Sequence, residues 1–105
     1  MAFTSINPAT GETLASYEET SAAAIADIIA NVHEAWREWR HRDFGERARF
    51  MRAAAGLLRD RSQDYARLMA EETGKPVRQG VAEAQKCATT CDYFADNSAR
   101  SMRLR

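Results

Sequence analysis

Along this chain the spacing of apolar positions changes period once, near Thr20. Before that point, short runs of β-branched and aromatic residues alternate in part with polar ones: Phe3-Thr4-Ser5-Ile6, then Thr13-Leu14-Ala15-Ser16-Tyr17. Asn7-Pro8 and Thr10-Gly11 between them are turn dipeptides. The pattern predicts a β-hairpin with a long loop, its strands near residues 3–6 and 13–17.

From Thr20 onward the apolar positions recur at three and four residues, the period of a helix with one buried face. Ser21 caps a first helix whose stripe is Ile25, Ile28, Ile29, Val32, Trp36 and Trp39. It ends among Arg40, His41 and Arg42, where cations meet the negative end of the helix dipole. Asp43 and Glu46 have capping-box spacing and open a second helix carrying Phe44, Ala48, Met51, Ala55 and Leu58. Ser62 is placed to cap a third, shorter helix bearing Tyr65, Ala66, Leu68 and Met69. Gly74 suits the left-handed residue after a helix, and Pro76 opens a fourth. The fourth stripe is Val77, Val81, Ala84, Cys87 or Ala88, Cys91, Phe94, Ala95 and Met102, and the helix is expected to run on to Arg105. The expected fold is therefore mainly α. A short N-terminal β-hairpin (residues 1–19) is followed by a helical layer of four helices (20–105), together a single unit.

Composition narrows the classes. With 105 residues, 45% hydrophobic and 29% charged, the chain has the make-up of one folded domain. Its 15 basic and 15 acidic side chains cancel, which argues against a nucleic-acid surface or a polybasic membrane anchor. No apolar run is long enough to span a membrane. Met1-Ala2-Phe3-Thr4-Ser5 lacks the basic and apolar regions of a signal peptide, so a cytoplasmic location is expected.

Candidate chemistry is sparse. Cys87 and Cys91 lie four apart on one helix face, side by side, which suits free, buried thiols better than a disulfide. As a nucleophile either would need a base or a positive field. Lys86 points to a different face from Cys87, and neither cysteine is near a helix N-terminus. His33 and His41 are eight apart, not the i, i+4 pair of a zinc helix, and no second Cys pair joins Cys87 and Cys91. Gly74-Lys75 is followed by Pro76 and has no preceding glycine at phosphate-loop spacing. Glu18-Glu19 and Glu71-Glu72 read as solvated faces, because adjacent helix positions do not face each other. Arg47, Arg49, Arg52, Arg59 and Arg61, interspersed with Glu46 and Asp60, read as salt-bridging surface, and Trp36 and Trp39 as core anchors. These residues predict no catalytic, cofactor-binding or metal site.

The order of short strings says more. Ser5-Ile6-Asn7-Pro8-Ala9-Thr10-Gly11-Glu12 resembles the opening hairpin of the aldehyde dehydrogenase superfamily. Ala35-Trp36-Arg37-Glu38-Trp39 followed by Phe44-Gly45-Glu46-Arg47-Ala48 resembles its first helix, break and second helix. Leu57-Leu58-Arg59-Asp60-Arg61 and Glu72-Thr73-Gly74-Lys75-Pro76 match the next landmarks. Ala82-Glu83-Ala84-Gln85-Lys86-Cys87, with Cys91-Asp92-Tyr93-Phe94-Ala95-Asp96-Asn97, is similar to the long helix that follows, most of all in the succinate-semialdehyde branch. The resemblance runs from about Phe3 to Ser98; Arg100-Ser101-Met102-Arg103-Leu104-Arg105 fits less well.

The resemblance implies NAD- or NADP-dependent oxidation of an aldehyde to an acid. In the family a cysteine thiolate adds to the aldehyde, hydride leaves to the nicotinamide, and a glutamate-activated water hydrolyses the thioester. It also implies that those groups belong to later segments than this chain contains, so no catalytic role passes to Cys87 or Cys91. The leading expectation is thus an N-terminal piece of the cofactor-binding domain, inactive alone, with no cofactor bound. Its apolar helix faces would be exposed and would drive self-association into a dimer or higher oligomer. The rival readings are a self-contained helical interaction module and an independent enzyme using Cys87 or Cys91.

Overall fold

The computed structural model describes residues 2–102. The hairpin comes first. Strand β1 (Ala2–Ile6) pairs antiparallel with β2 (Thr13–Glu18), with Phe3 opposite Tyr17 and a bulge between Ser5 and Ile6. The loop between them closes on itself. Asn7 Oδ1 accepts from the Ala9 amide at 2.9 Å, and the Gly11 amide donates to the Asn7 carbonyl at 2.8 Å. Gly11 sits at φ 77°, where a Cβ would be strained.

Four helices follow: α1 (Ala22–Trp39), α2 (Phe44–Asp60), α3 (Ser62–Thr73) and α4 (Val77–Met102). Their boundaries follow local chemistry. Ser21 Oγ accepts from the Ala24 amide at 3.1 Å, and Asp43 Oδ1 from the Glu46 amide at 2.7 Å, so both predicted N-caps form. Gly74 ends α3 at φ 74°, with its amide on the Ala70 carbonyl. The Pro76 carbonyl takes the first amides of α4, from Gln79 and Gly80.

The predicted cap at Ser62 does not form. Arg61 (φ −103°, ψ 15°) is the single non-helical residue between α2 and α3, and it makes no side-chain cap. Ser62 is instead the first helical residue and is buried. The expected continuation of the fourth helix to Arg105 falls partly outside the described residues.

The core differs in kind from the predicted one. α4 packs on α2 along one side and on α3 along the other. What it buries there is Gly80, Ala84 and Ala88, one small residue per turn, against Ala48, Ala55 and Ala66. No large side chain is fully buried among the described residues. Phe94, Leu68, Val77 and Met102, expected on buried stripes, are exposed. Close approach of backbones, not interdigitation of large side chains, holds these three helices together.

α1 stands apart. It makes no extended contact with another element and buries no residue. Its stripe lies open, with Ile29 64% and Val32 63% exposed. Trp36 and Trp39, expected as core anchors, are exposed as well. The radius of gyration, 18.1 Å, exceeds the roughly 13 Å of a compact chain this long. The accessible surface, 8419 Å², exceeds by about 2,500 Å² what a compact monomer of this mass presents.

Candidate functional site

The structure separates the residues that chemistry would need together. Cys87 and Cys91 are both free, on α4; Cys87 is exposed and Cys91 half-buried. The expectation of buried thiols therefore fails at Cys87. Ala88, one position on, takes the buried place in that turn, because the close face of α4 follows the Gly80, Ala84, Ala88 row. Asp92, beside Cys91, is engaged by Arg59 at 2.6 Å.

The histidines lie at α1 and its end. The His33 ring is tilted against Trp36, centroids 5.4 Å apart, and His41 Nε2 accepts from Arg40 Nε at 3.3 Å. Among the described residues no group of three or more His, Cys, Asp or Glu side chains could hold a metal ion. Lys75 Nζ is 3.7 Å from Glu83, and Gly74 is used as a helix stop, so that pair cradles no phosphate. Glu72 is exposed yet bonded: Ser5 Oγ donates to it at 2.9 Å, tying the hairpin to α3.

The arginines of α2 act more specifically than a solvated salt-bridging face. Arg52 reaches Asp96 at 2.8 Å and Arg59 reaches Asp92 at 2.6 Å, both across to α4. Arg47 makes no ion pair among those described; its guanidinium turns back to the end of α1. Nε and Nη2 both donate to the Arg42 carbonyl, at 3.0 and 2.9 Å, and Nη2 also reaches the Arg40 carbonyl at 3.3 Å. A helix C-terminus leaves such carbonyls unpaired, and Arg47 satisfies them.

Around this corner cluster the aromatic residues. Trp39 and Phe50 lie 5.4 Å apart by ring centroid, with the Arg42 guanidinium over both. Arg42 is in turn bonded to Glu46 at 2.6 Å. Along α1 itself Val32, Ala35, Trp36 and Trp39 line an open groove of about 460 Å³, apolar in the main, with Glu38 and Arg42 at its rim. This groove is an apolar surface and not a set of reacting groups. Among the described residues no helix is long and apolar enough to cross a membrane.

Two structural residues escaped the sequence reading. Gly80 begins the small-residue row of α4, and its spacing from Ala84 and Ala88 was a legible signal. The role of Arg47 was not, since nothing local distinguishes it from Arg49 or Arg52.

Comparison with known proteins completes the description. Residues 1–104 match the aldehyde dehydrogenase family. A probable NADP-dependent succinate-semialdehyde dehydrogenase of Synechocystis sp. is 36% identical over 98 residues, which are 93% of this chain and 22% of that protein. The NADP-dependent succinate-semialdehyde dehydrogenase of Mycobacterium avium is 37% identical over 99 residues, 93% of this chain and 21% of that protein. Among solved structures, succinic semialdehyde dehydrogenase from Streptococcus pyogenes, with NADP+, superposes with a TM-score of 0.87 at 28% identity, over 93% of this chain and 22% of that one. NADP-dependent glyceraldehyde-3-phosphate dehydrogenase from Bacillus halodurans, complexed with NADP, gives 0.90 at 27% identity, over 95% and 21%. The hairpin and four helices are therefore the N-terminal segment of the aldehyde dehydrogenase fold, and this chain belongs to the aldehyde dehydrogenase family. It spans about a fifth of the length of the curated relatives it matches.

Proposed function

We propose that residues 1–105 are one unit, the N-terminal part of the cofactor-binding domain of an aldehyde dehydrogenase. The whole enzyme would oxidise succinate semialdehyde to succinate with NADP or NAD. This chain alone would catalyse no turnover and carry no catalytic, cofactor-binding or metal residue. The observation that carries the reading is the match to succinate-semialdehyde dehydrogenases over 93% of the chain but only about a fifth of theirs.

The residues at hand do not fit a dinucleotide. A pyrophosphate needs closely spaced glycines at a helix N-terminus. The two glycines at positive φ, Gly11 and Gly74, serve the hairpin loop and the end of α3. No step of the reaction is assigned to this chain for that reason. Its part is to supply a helical layer and a hairpin, with an apolar face on α1 open to association. A reducing cytoplasm suits its two free cysteines.

The test is to mix the purified chain with succinate semialdehyde and NADP, then NAD, and follow nicotinamide absorbance. No reduction above the blank is expected, and calorimetry should show no saturable NADP binding. Turnover or binding would overturn the reading of an inactive segment. The exposed stripe of α1 also supports self-association in solution, which a mass measurement checks.

A further inference from the structure

We propose that Cys87 and Cys91 form a two-thiol capture site for trivalent arsenicals that carry two exchangeable oxygens. The inference goes beyond the functional reading above and does not depend on it. Both thiols are free, four residues apart in the middle of α4. Residues at that spacing stand one turn apart on the same helix face, with Cβ atoms roughly 5–6 Å apart. The relation is set inside one helix, so it holds whatever packs on the rest of the chain.

That separation selects the chemistry. A disulfide needs Cβ atoms about 3.5–4.5 Å apart, so direct S–S closure would require α4 to deform. α4 resists deformation, because α2 and α3 pack on it along the Gly80, Ala84, Ala88 row. A single atom inserted between the sulfurs lengthens the span and removes the mismatch. Trivalent arsenic is such an atom. It is soft and takes thiolates in preference to oxygen ligands. Its pyramidal geometry holds two sulfurs on one side and leaves the third position to its organic group.

The surroundings leave the pair available. Cys87 is exposed and Cys91 half-buried, so a reagent enters at Cys87 and closes onto Cys91. The neighbouring polar side chains are engaged elsewhere than on sulfur. Thr89 and Thr90 donate to the Gln85 and Lys86 carbonyls at 3.1 and 3.0 Å, and Asp92 is held by Arg59 at 2.6 Å. Among the described residues no third His, Cys, Asp or Glu completes a metal-ion group, which suits a ligand that needs two sulfurs and no more.

The step is ligand exchange without oxidation or reduction. With phenylarsonous acid, the hydrated form of phenylarsine oxide, two S–H and two As–O bonds break. Two As–S bonds and two waters form, and arsenic stays trivalent. Once the first As–S bond exists, the second thiol stands one turn away at high effective concentration, which a free monothiol cannot match.

The experiment adds excess phenylarsine oxide to the reduced full chain and reads the intact mass before and after excess glutathione. One phenylarsenic per chain is expected, with both thiols closed to a maleimide. The adduct should survive glutathione and be removed by dithiothreitol. Cys87→Ser and Cys91→Ser should each lose it to glutathione. The Cys87→Ser, Thr89→Cys double variant keeps two thiols but sets them two residues apart, where helical side chains do not face each other. It too should lose the adduct to glutathione, with unchanged helical circular dichroism. Two phenylarsenics per wild-type chain, or loss of the wild-type adduct to glutathione, overturns the site. Retention by either single variant or by the shifted pair overturns the role of the shared helix face. If a variant loses helicity, the wild-type count and its glutathione wash decide the case.

Discussion

Gly80 of α4 lies directly against the backbone of Ala66 in α3: a Cβ built at Gly80 would stand 2.8 Å from the Ala66 Cα and 2.9 Å from its Cβ. Both residues are buried. Two opposing effects meet at this position. Alanine is favoured over glycine inside a helix by about 1 kcal/mol. Against that, the new methyl would overlap main chain that cannot rotate away, and overpacking of that kind costs about 1–3 kcal/mol. The clash is the larger, so Gly80→Ala should lower stability in a urea melt.

Gly56, in the middle of α2, supplies the control. A Cβ there meets nothing within 4 Å. Gly56→Ala should therefore raise stability, by about 0.5–1 kcal/mol. The two glycine substitutions should move the denaturation midpoint in opposite directions. A gain from both would show that α3 and α4 are not in the close approach described.

Arg47 governs where α1 points. With α1 in no extended contact elsewhere, its direction depends on the corner at residues 40–47. Arg47→Ala removes the donors to the Arg42 and Arg40 carbonyls and should widen the spread of distances between labels on α1 and α2. Melting should change little, because the bonds are at the surface. Arg47→Lys should not restore the narrow distribution, since an ammonium cannot reproduce the planar two-nitrogen contact. Full recovery with lysine would show that charge alone suffices.

Much of this fold was legible in the sequence, for identifiable reasons. Ser21, Asp43 and Gly74 act through neighbours within four residues, so their roles are written locally. Ser62 shows the limit. Its type suits a cap, but the turn between α2 and α3 is a single residue, and that geometry is set by how both helices pack on α4. The apolar period placed the helices correctly yet misjudged what they bury. A stripe of Ile, Val and Trp on α1 signals a face that wants covering, without saying that anything in the chain covers it. On α4 the informative residues were the small ones, and Gly80 has no hydrophobicity to register. The family was readable from the order of its short strings, whereas the bonds of Arg47 depend on the bend between α1 and α2.

The cross-helix ion pairs invite overestimation. Arg59 and Asp92 are 2.6 Å apart, with side chains 46% and 35% exposed. Water screens such a pair, and exposed pairs contribute about 0.2–1 kcal/mol. A double-mutant cycle with Arg59→Ala and Asp92→Ala should return a coupling in that range, shrinking further in high salt. A coupling of several kcal/mol would mean that the pair is shielded from solvent, as it would be if a partner covered this side of α2 and α4.

The last prediction concerns the thiols, and it separates exposure from catalysis. Cys87 is exposed and Cys91 half-buried. A thiol reagent at neutral pH should therefore modify Cys87 in the folded chain ahead of Cys91. Because exposure accounts for labelling, labelling by itself is no sign of a nucleophile. The discriminating measurement is the rate against a small model thiol at the same pH. An activated cysteine needs a base or a positive field, and activation would show as a rate above that of the model thiol. Cys87 should react no faster than the model compound, and Cys91 more slowly. Cys87→Ser should label once per chain, at the slow rate. A Cys87 rate well above the model thiol would reopen the case for an independent cysteine enzyme, and the aldehyde assay on Cys87→Ser would then decide it.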